Sequence, residues 1–322
     1  MITTEINQAI KALQADEIIA LPTETVYGLA GNAYSEEAIK KIFALKNRPL
    51  YNPLIVHIKS SEFLTNVACD IPDIALELAT AFWPGPMTLV LKKQTSIPDI
   101  VTAGKETVAV RVPNHPVALN LLEQLDFPLA APSANPFGSI SPTTALHVYN
   151  YFKENLDIVL DGGSCEKGIE STIIGFENNQ PIVYRLGSLS IESIENKIGK
   201  VLTKTHSATA PVAPGMLSRH YAPSTDTYFT NNIEKAILSN PSKRIGLLLF
   251  QNKLDDVSVE HQEVLSSSGN LNEAANKLYA AMHRLDERHL DLIIAEEFPD
   301  TGIGKTINDK LRRASKNTNG SV

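Results

Sequence analysis

The residues able to do chemistry in this sequence gather where apolar runs give way to loops. The run Ile18-Ile19-Ala20-Leu21 halts at Pro22; Thr23, Glu24 and Thr25 follow, and Gly28 lets the backbone come close. Glu24 reads as a solvated loop acid. Lys46 and Arg48 stand just beyond an expected helix end, where the dipole favours cations in any case. Pro49 and Pro53 stiffen the exit, so that these cations and Asn52 are held in place. His57 falls inside an aliphatic strand and shares a face with Ile55. Arg111 interrupts the Val/Ala strand of KETVAVRVP on the face of Thr107 and Ala109, where a guanidinium needs an anion. A carboxylate of the chain or a ligand carboxylate gripped in bidentate fashion would serve equally.

Three further segments carry the same signature. In LAAPSANPFGSISPT a small-residue strand ending near Ala131 runs into Ser133, Asn135, Gly138, Ser139 and Ser141, with Pro142 opening a helix. Hydroxyls, an amide and free N–H groups ahead of a helix start are the parts of an anion cradle. DGGSCEKGIEST adds glycines for close approach and the hydroxyls of Ser171 and Thr172, and YRLGS adds Arg185 at a strand end. Cys165 has no evident activating base and reads as incidental. Together these groups suit a ligand with several phosphates plus a carboxylate. No pair of acids forms a metal cage, so a participating cation is expected to be Mg²⁺ carried largely by the phosphates. GIGKT at residues 302–306 resembles a phosphate-binding loop, but Pro299 stands where its first glycine belongs. Those glycines are expected to start the last helix, with Lys310, Arg312 and Arg313 solvated.

The elements that must position these groups form an α/β pattern. Strands are expected near Leu54–Ile58, Val108–Val112 and Leu129–Ala131, with a helix from an N-capping Ser35 to Lys46. Residues 1–202 read as one mixed α/β unit. Residues 203–224, rich in Pro and small side chains, read as an extended linker, and residues 225–322 as a second, smaller α/β unit. The 322 residues carry a formal charge of −7, which argues against a general nucleic-acid binder. No apolar run approaches the roughly 20 residues needed to span a bilayer. The amino terminus lacks a signal-peptide core, and the two cysteines lack metal-type spacing. A cytoplasmic protein is expected.

PTETVYGLA, KNRPLYNPLIVHI, FWPGPMTLVL, VAVRVPNHPVA, LAAPSANPFGSISPT, GIESTII and YRLG come in the order found in the YrdC-like family of threonylcarbamoyl-AMP synthases. The chain resembles that family over nearly all of residues 1–200. The paired K-x-R and S-x-N signatures stand as Lys46–Arg48 and Ser133–Asn135. APGMLSRHYAP and the second unit resemble the long, two-domain form.

The resemblance implies a YrdC-like open, twisted α/β sheet with a central cavity, followed by a Rossmann-like C-terminal domain. It implies a nucleotidyltransferase that makes threonylcarbamoyl-AMP and pyrophosphate from L-threonine, bicarbonate and ATP, with Mg²⁺ carried by ATP. The product would pass to a tRNA threonylcarbamoyl transferase complex, with no membrane and no stable nucleic-acid partner. By position, Thr25, His57, Arg111, Ala131 and Ser171 would hold threonine. Lys46, Arg48, Asn52, Thr107, Ser133, Ser141 and Arg185 would hold ATP, joined by Arg219, His220 and Tyr221 of a linker acting as a lid. Lys46, Arg48, Ser133 and Asn135 would be the catalytic set. The rival reading, a non-enzymatic RNA-binding YrdC-like module, is weakened by the negative charge and the lack of an aromatic stacking set.

Overall fold

The structure, a computed structural model, describes residues 1–205, 213–216, 220–255 and 259–316. Its first unit runs β1 (Ile2–Thr3), α1 (Ile6–Gln14), β2 (Ile19–Leu21), β3 (Gly28–Asn32), α2 (Glu36–Lys46), β4 (Ile55–His57), β5 (Ala68–Cys69), α3 (Asp73–Phe82), β6 (Met87–Lys93) and α4 (Asp99–Thr102). It continues through β7 (Thr107–Arg111), α5 (Pro116–Glu123), β8 (Leu129–Ala130), α6 (Ala145–Phe152), β9 (Ile158–Leu160), β10 (Thr172–Glu177), β11 (Gln180–Arg185), α7 (Ile191–Ile198) and β12 (Leu202–Thr203). These strands make one mixed 12-stranded sheet in the order β1-β9-β2-β3-β8-β4-β7-β6-β10-β11-β12, with β5 beside β6.

Local chemistry sets the ends that matter. Ser35 Oγ caps α2 by accepting from Ala38 N, Glu36 and Glu37 occupy its first turn, and Asn47 closes it in the left-handed region. Lys46 is thereby fixed in the last turn of a packed helix. GLAGN carries no strand expectation in the sequence, yet it forms β3, inside the sheet between β2 and β8. Its two glycines hide a strand signature. A Cβ on Gly31 would stand 3.2 Å from both Ala38 Cβ and Ile18 Cγ2, so the glycine is what lets α2 sit against the strand.

The second unit follows with β13 (Thr227–Thr230), α8 (Ile233–Leu238), β14 (Ile245–Leu249), β15 (His261–Val264), α9 (Leu271–Asp286), β16 (Leu292–Glu296) and α10 (Gly304–Ala314). Its four parallel strands lie in the order β13-β16-β14-β15. The core under α9 and α10, with Leu278, Tyr279, Ile307 and Leu311, is continuous with Val26, Ile140 and Ile169 of the first unit. The last helix departs from expectation. Gly304 does start it, and Arg312 is exposed beside Glu297, but Lys310 and Arg313 are buried. The helix is wedged between the two units, so its polar face meets protein. Arg313 reaches Asp309 at 3.0 Å and the backbone of Thr205 and Gly215.

Candidate active site

The loop between β2 and β3 is organised by its own hydroxyls. Arg111 Nη1 donates to Thr25 Oγ1 at 2.9 Å, Thr25 and Thr23 hydroxyls lie 2.8 Å apart, and Thr23 Oγ1 donates to Val26 O at 2.6 Å. Each hydroxyl carries one hydrogen, so Thr25 must donate to Thr23. Thr25 therefore meets the cavity as an acceptor. Gly28 bridges to Ser133, and a Cβ on it would stand 3.1 Å from Ala131 Cβ, which lets the loop close on the wall.

His57 and Arg111 are register partners on parallel β4 and β7, so the ladder itself places them side by side. Arg111 Nε donates to Gly85 O at 3.2 Å, and Nη2 lies 2.6 Å from Glu24 Oε1. Glu24 is therefore not the solvated loop acid expected from sequence: it is 2 % exposed and pairs with Arg111. A loop acid beside a buried guanidinium is drawn in because either charge alone would be costly there. The guanidinium fork still keeps N–H donors beyond these three contacts. Burial, then the Arg111 charge, pushes the His57 imidazole down to about 3, so it is neutral at ordinary pH.

A second group of cations gathers nearby. Lys46 Nζ donates to the carbonyls of Ser133 and Asn135, tying the end of α2 to the S-x-N loop. Arg48 grips the Asn52 and Pro53 carbonyls at 3.1 and 2.8 Å, and Arg185 grips Ser171 O through Nε and Nη2. Burial, then Arg185, lowers Arg48 to about 9. Burial, then Arg48, holds Lys46 well below its ordinary value. Like charges pressed together in a chain of net charge −7 repel one another, an arrangement that would suit a polyanion.

All these segments converge on one half-open cavity, roughly 570 Å³ of atom-free space when the open solvent at its mouth is counted. Thr25, His57, Arg111, Ala131 and Ser171 line it, as do Arg48, Ser133, Arg185, His220 and Tyr221. Lys46, Asn135 and Ser141 stand behind lining residues or their neighbours, and Asn52 backs Arg48. Both polar atoms of the Asn52 side chain are buried without a partner among the described residues, as is Asn135 Oδ1. Thr107 is not brought to the wall. It pairs with Lys92 at the far end of β7, about 13 Å from Arg111 at the rise of an extended strand. Arg219 lies outside the described residues.

Sequence reasoning missed the contribution of the second unit. Glu170 is buried on the cavity wall and accepts from Ser141 Oγ at 2.6 Å and from Tyr279 OH at 2.9 Å, with Lys310 Nζ at 3.5 Å. Burial alone would raise its pKa; Lys310, Arg185 and the Ser141 hydroxyl outweigh that and hold the carboxyl below its ordinary value. Pro214 and Gly215 of the linker also line the cavity. Glu170 belongs to the GIEST segment, but Lys310 of α10 reads as solvated in sequence, and no pattern in the helix signals otherwise.

Residues 11–187 match the family model Sua5_yciO_yrdC, described as "Telomere recombination", and residues 189–316 match "Threonylcarbamoyl-AMP synthase, C-terminal domain". Threonylcarbamoyl-AMP synthases of Pyrococcus abyssi and Bacillus subtilis are 39% and 38% identical to the chain, each over 97% of it and over 94% and 93% of their own lengths. The crystal structure of P. abyssi Sua5 complexed with L-threonine matches with a TM-score of 0.90 at 38% identity, covering 96% of this chain and 94% of that one. E. coli YciO shares the fold of the first unit, with a TM-score of 0.51 at 24% identity over 56% of this chain and 88% of its own. Fold and matches together define an enzyme of the nucleotidyltransferase class on a YrdC-type sheet. The chain belongs to the threonylcarbamoyl-AMP synthase family, in its long, two-domain form.

Proposed function

We propose that this cavity joins L-threonine, bicarbonate and ATP into threonylcarbamoyl-AMP and pyrophosphate, for threonylcarbamoyladenosine formation in tRNA. The observation that carries the reading is the convergence of widely separated segments on one hollow. Thr25, His57 and Arg111 form one cluster there; Lys46, Arg48 and Arg185 form another. The first suits an amino acid: Arg111 offers N–H donors to the α-carboxylate, while Thr25 and neutral His57 offer acceptors to the ammonium or side-chain hydroxyl. The second suits a triphosphate, with Asn52 behind Arg48 keeping an amide without a partner among the described residues.

The threonine amine and bicarbonate give a carbamate and water. A carbamate oxygen then attacks the α-phosphorus, forming the new P–O bond as the bond to pyrophosphate breaks. Two anions must meet for this, and the buried cations offset their repulsion. The step needs the attacking and leaving oxygens aligned. Among the described lining residues Glu170 is the only acid, and it is already engaged, which fits Mg²⁺ held mainly by the phosphates. When bound, that ion neutralises charge on the leaving pyrophosphate. The carbamate is labile in water, and the linker residues Pro214, Gly215, His220 and Tyr221 cover it as a lid.

Incubation with ATP, Mg²⁺, bicarbonate and single amino acids, followed by pyrophosphate assay and product mass, tests the reading. Pyrophosphate release is expected only with threonine and bicarbonate together. An equal rate with serine, or with no amino acid, would refute threonine recognition by this cluster.

A further inference from the structure

We infer that Lys310 is a positioning residue through which the second unit sets the nucleotide wall of the cavity, acting on Glu170 and Tyr221 and not on substrate. The inference rests on the reading that the cavity takes ATP. Lys310 is 0 % exposed, and an ammonium is kept in such a place only by several partners. It has three, each from a different part of the chain. Its Nζ donates to Leu186 O, directly after Arg185, at 3.1 Å and to the linker's Tyr221 OH at 3.1 Å; Glu170 lies 3.5 Å away. The ammonium also lies 4.4 Å from the Tyr221 ring centroid. Tyr221 has a φ of 64° and is 1 % exposed, so its strained backbone is held by what grips the ring. From the neighbouring helix, Tyr279 OH ends on the same carboxylate.

The charge arrangement says why the grip matters. Glu170 shares the wall with Arg48 and Arg185. Without the α10 ammonium, the next cation acting on it is Arg185, a group the triphosphate needs. Lys310 neutralises Glu170 from behind the wall, leaves Arg185 on Ser171, and leaves Glu170 to orient Ser141.

The test uses full-length Lys310→Met, Glu170→Gln and the double variant. Affinities for a non-hydrolysable ATP analogue and for L-threonine are measured separately, beside the two KM values. Lys310→Met is expected to weaken the ATP analogue and raise KM for ATP about tenfold or more, the scale of one lost charge-assisted contact, with threonine affinity within about twofold. Adding Glu170→Gln is expected to restore most of the loss, because Arg185 is no longer captured. ATP affinity of Lys310→Met within about twofold of wild type would overturn the inference, as would equal losses for ATP and threonine with no recovery in the double variant. If Lys310→Met does not fold, the double variant is compared with Glu170→Gln. Similar ATP affinity supports the inference; a further loss of about tenfold overturns it. Failure of the wild-type protein to bind the ATP analogue would sink the proposed function instead.

Discussion

A buried guanidinium serves a substrate only if the chain leaves part of it uncommitted. Arg111 meets that condition, tied to Thr25, Gly85 and Glu24 with donors to spare. Arg48 and Arg185 do so by holding loop carbonyls. Arg48→Ala should cost ATP binding about 1.5–3 kcal/mol, read as a loss of roughly tenfold to a hundredfold in affinity with threonine binding nearly unchanged. Equal ATP affinity would show that Arg48 does not touch the nucleotide. Two buried imidazoles, His57 and His283, and the half-buried His147 give a prediction for pH. His57 and His147 are lowered to about 3 and His283 to about 4, each chiefly by burial. The unfolded chain takes up these protons near pH 6.5, the folded one only near 3–4, so acid favours unfolding. Their stabilisation is complete above pH 6.5 and is lost progressively as pH falls to about 3–4. The melting temperature should drop over that window; a rise would contradict these shifts. At this scale Thr25, His57, Arg111 and Arg48 were legible because cations and hydroxyls stood out against apolar strands. Glu24 was not, since a sequence does not show which loop acid folds back onto a cation.

At the scale of elements, the two units are joined by a close crossing. Gly168 has a φ of 72°, and a Cβ there would stand 2.1 Å from Asn276 O in α9. Asn276 in turn donates to Cys165 O and Glu166 O at 3.0 and 2.6 Å. Gly168→Ala should therefore destabilise by about 1–3 kcal/mol from backbone strain, plus the cost of pushing α9 away. Gly163→Ala supplies the control: its φ is 84°, but nothing lies within 4 Å of the added Cβ. Equal melting temperatures for the two variants would show that the crossing carries no weight. The longer helices and most strands of the first unit were legible from capping and alternation, but the one-turn helix α4 (Asp99–Thr102) was not. The strand β3 and the buried polar face of α10 were not, because glycine conceals strand propensity and a polar helix face looks the same against protein as against water.

For the molecule as a whole, domains joined by a polar interface of modest size are expected to move independently. Here the apolar cluster under α9 and α10 includes Val26, Ile140 and Ile169, and a buried ion pair crosses the same interface. Calorimetry should show one cooperative transition for both units; two separated transitions would indicate that the interface does not couple them. The α/β class and the two-unit division were legible from pattern and composition, while the interface was not, since it depends on contacts between distant segments. The pairing of His57 with Arg111 carries a consequence for descent. The spacing of these two groups belongs to a backbone ladder, and adding or deleting a single residue within β4 or β7 would turn one of them to the opposite face. Chains of this architecture that differ in length should carry the difference in their connecting segments, with those two strands invariant in residue count.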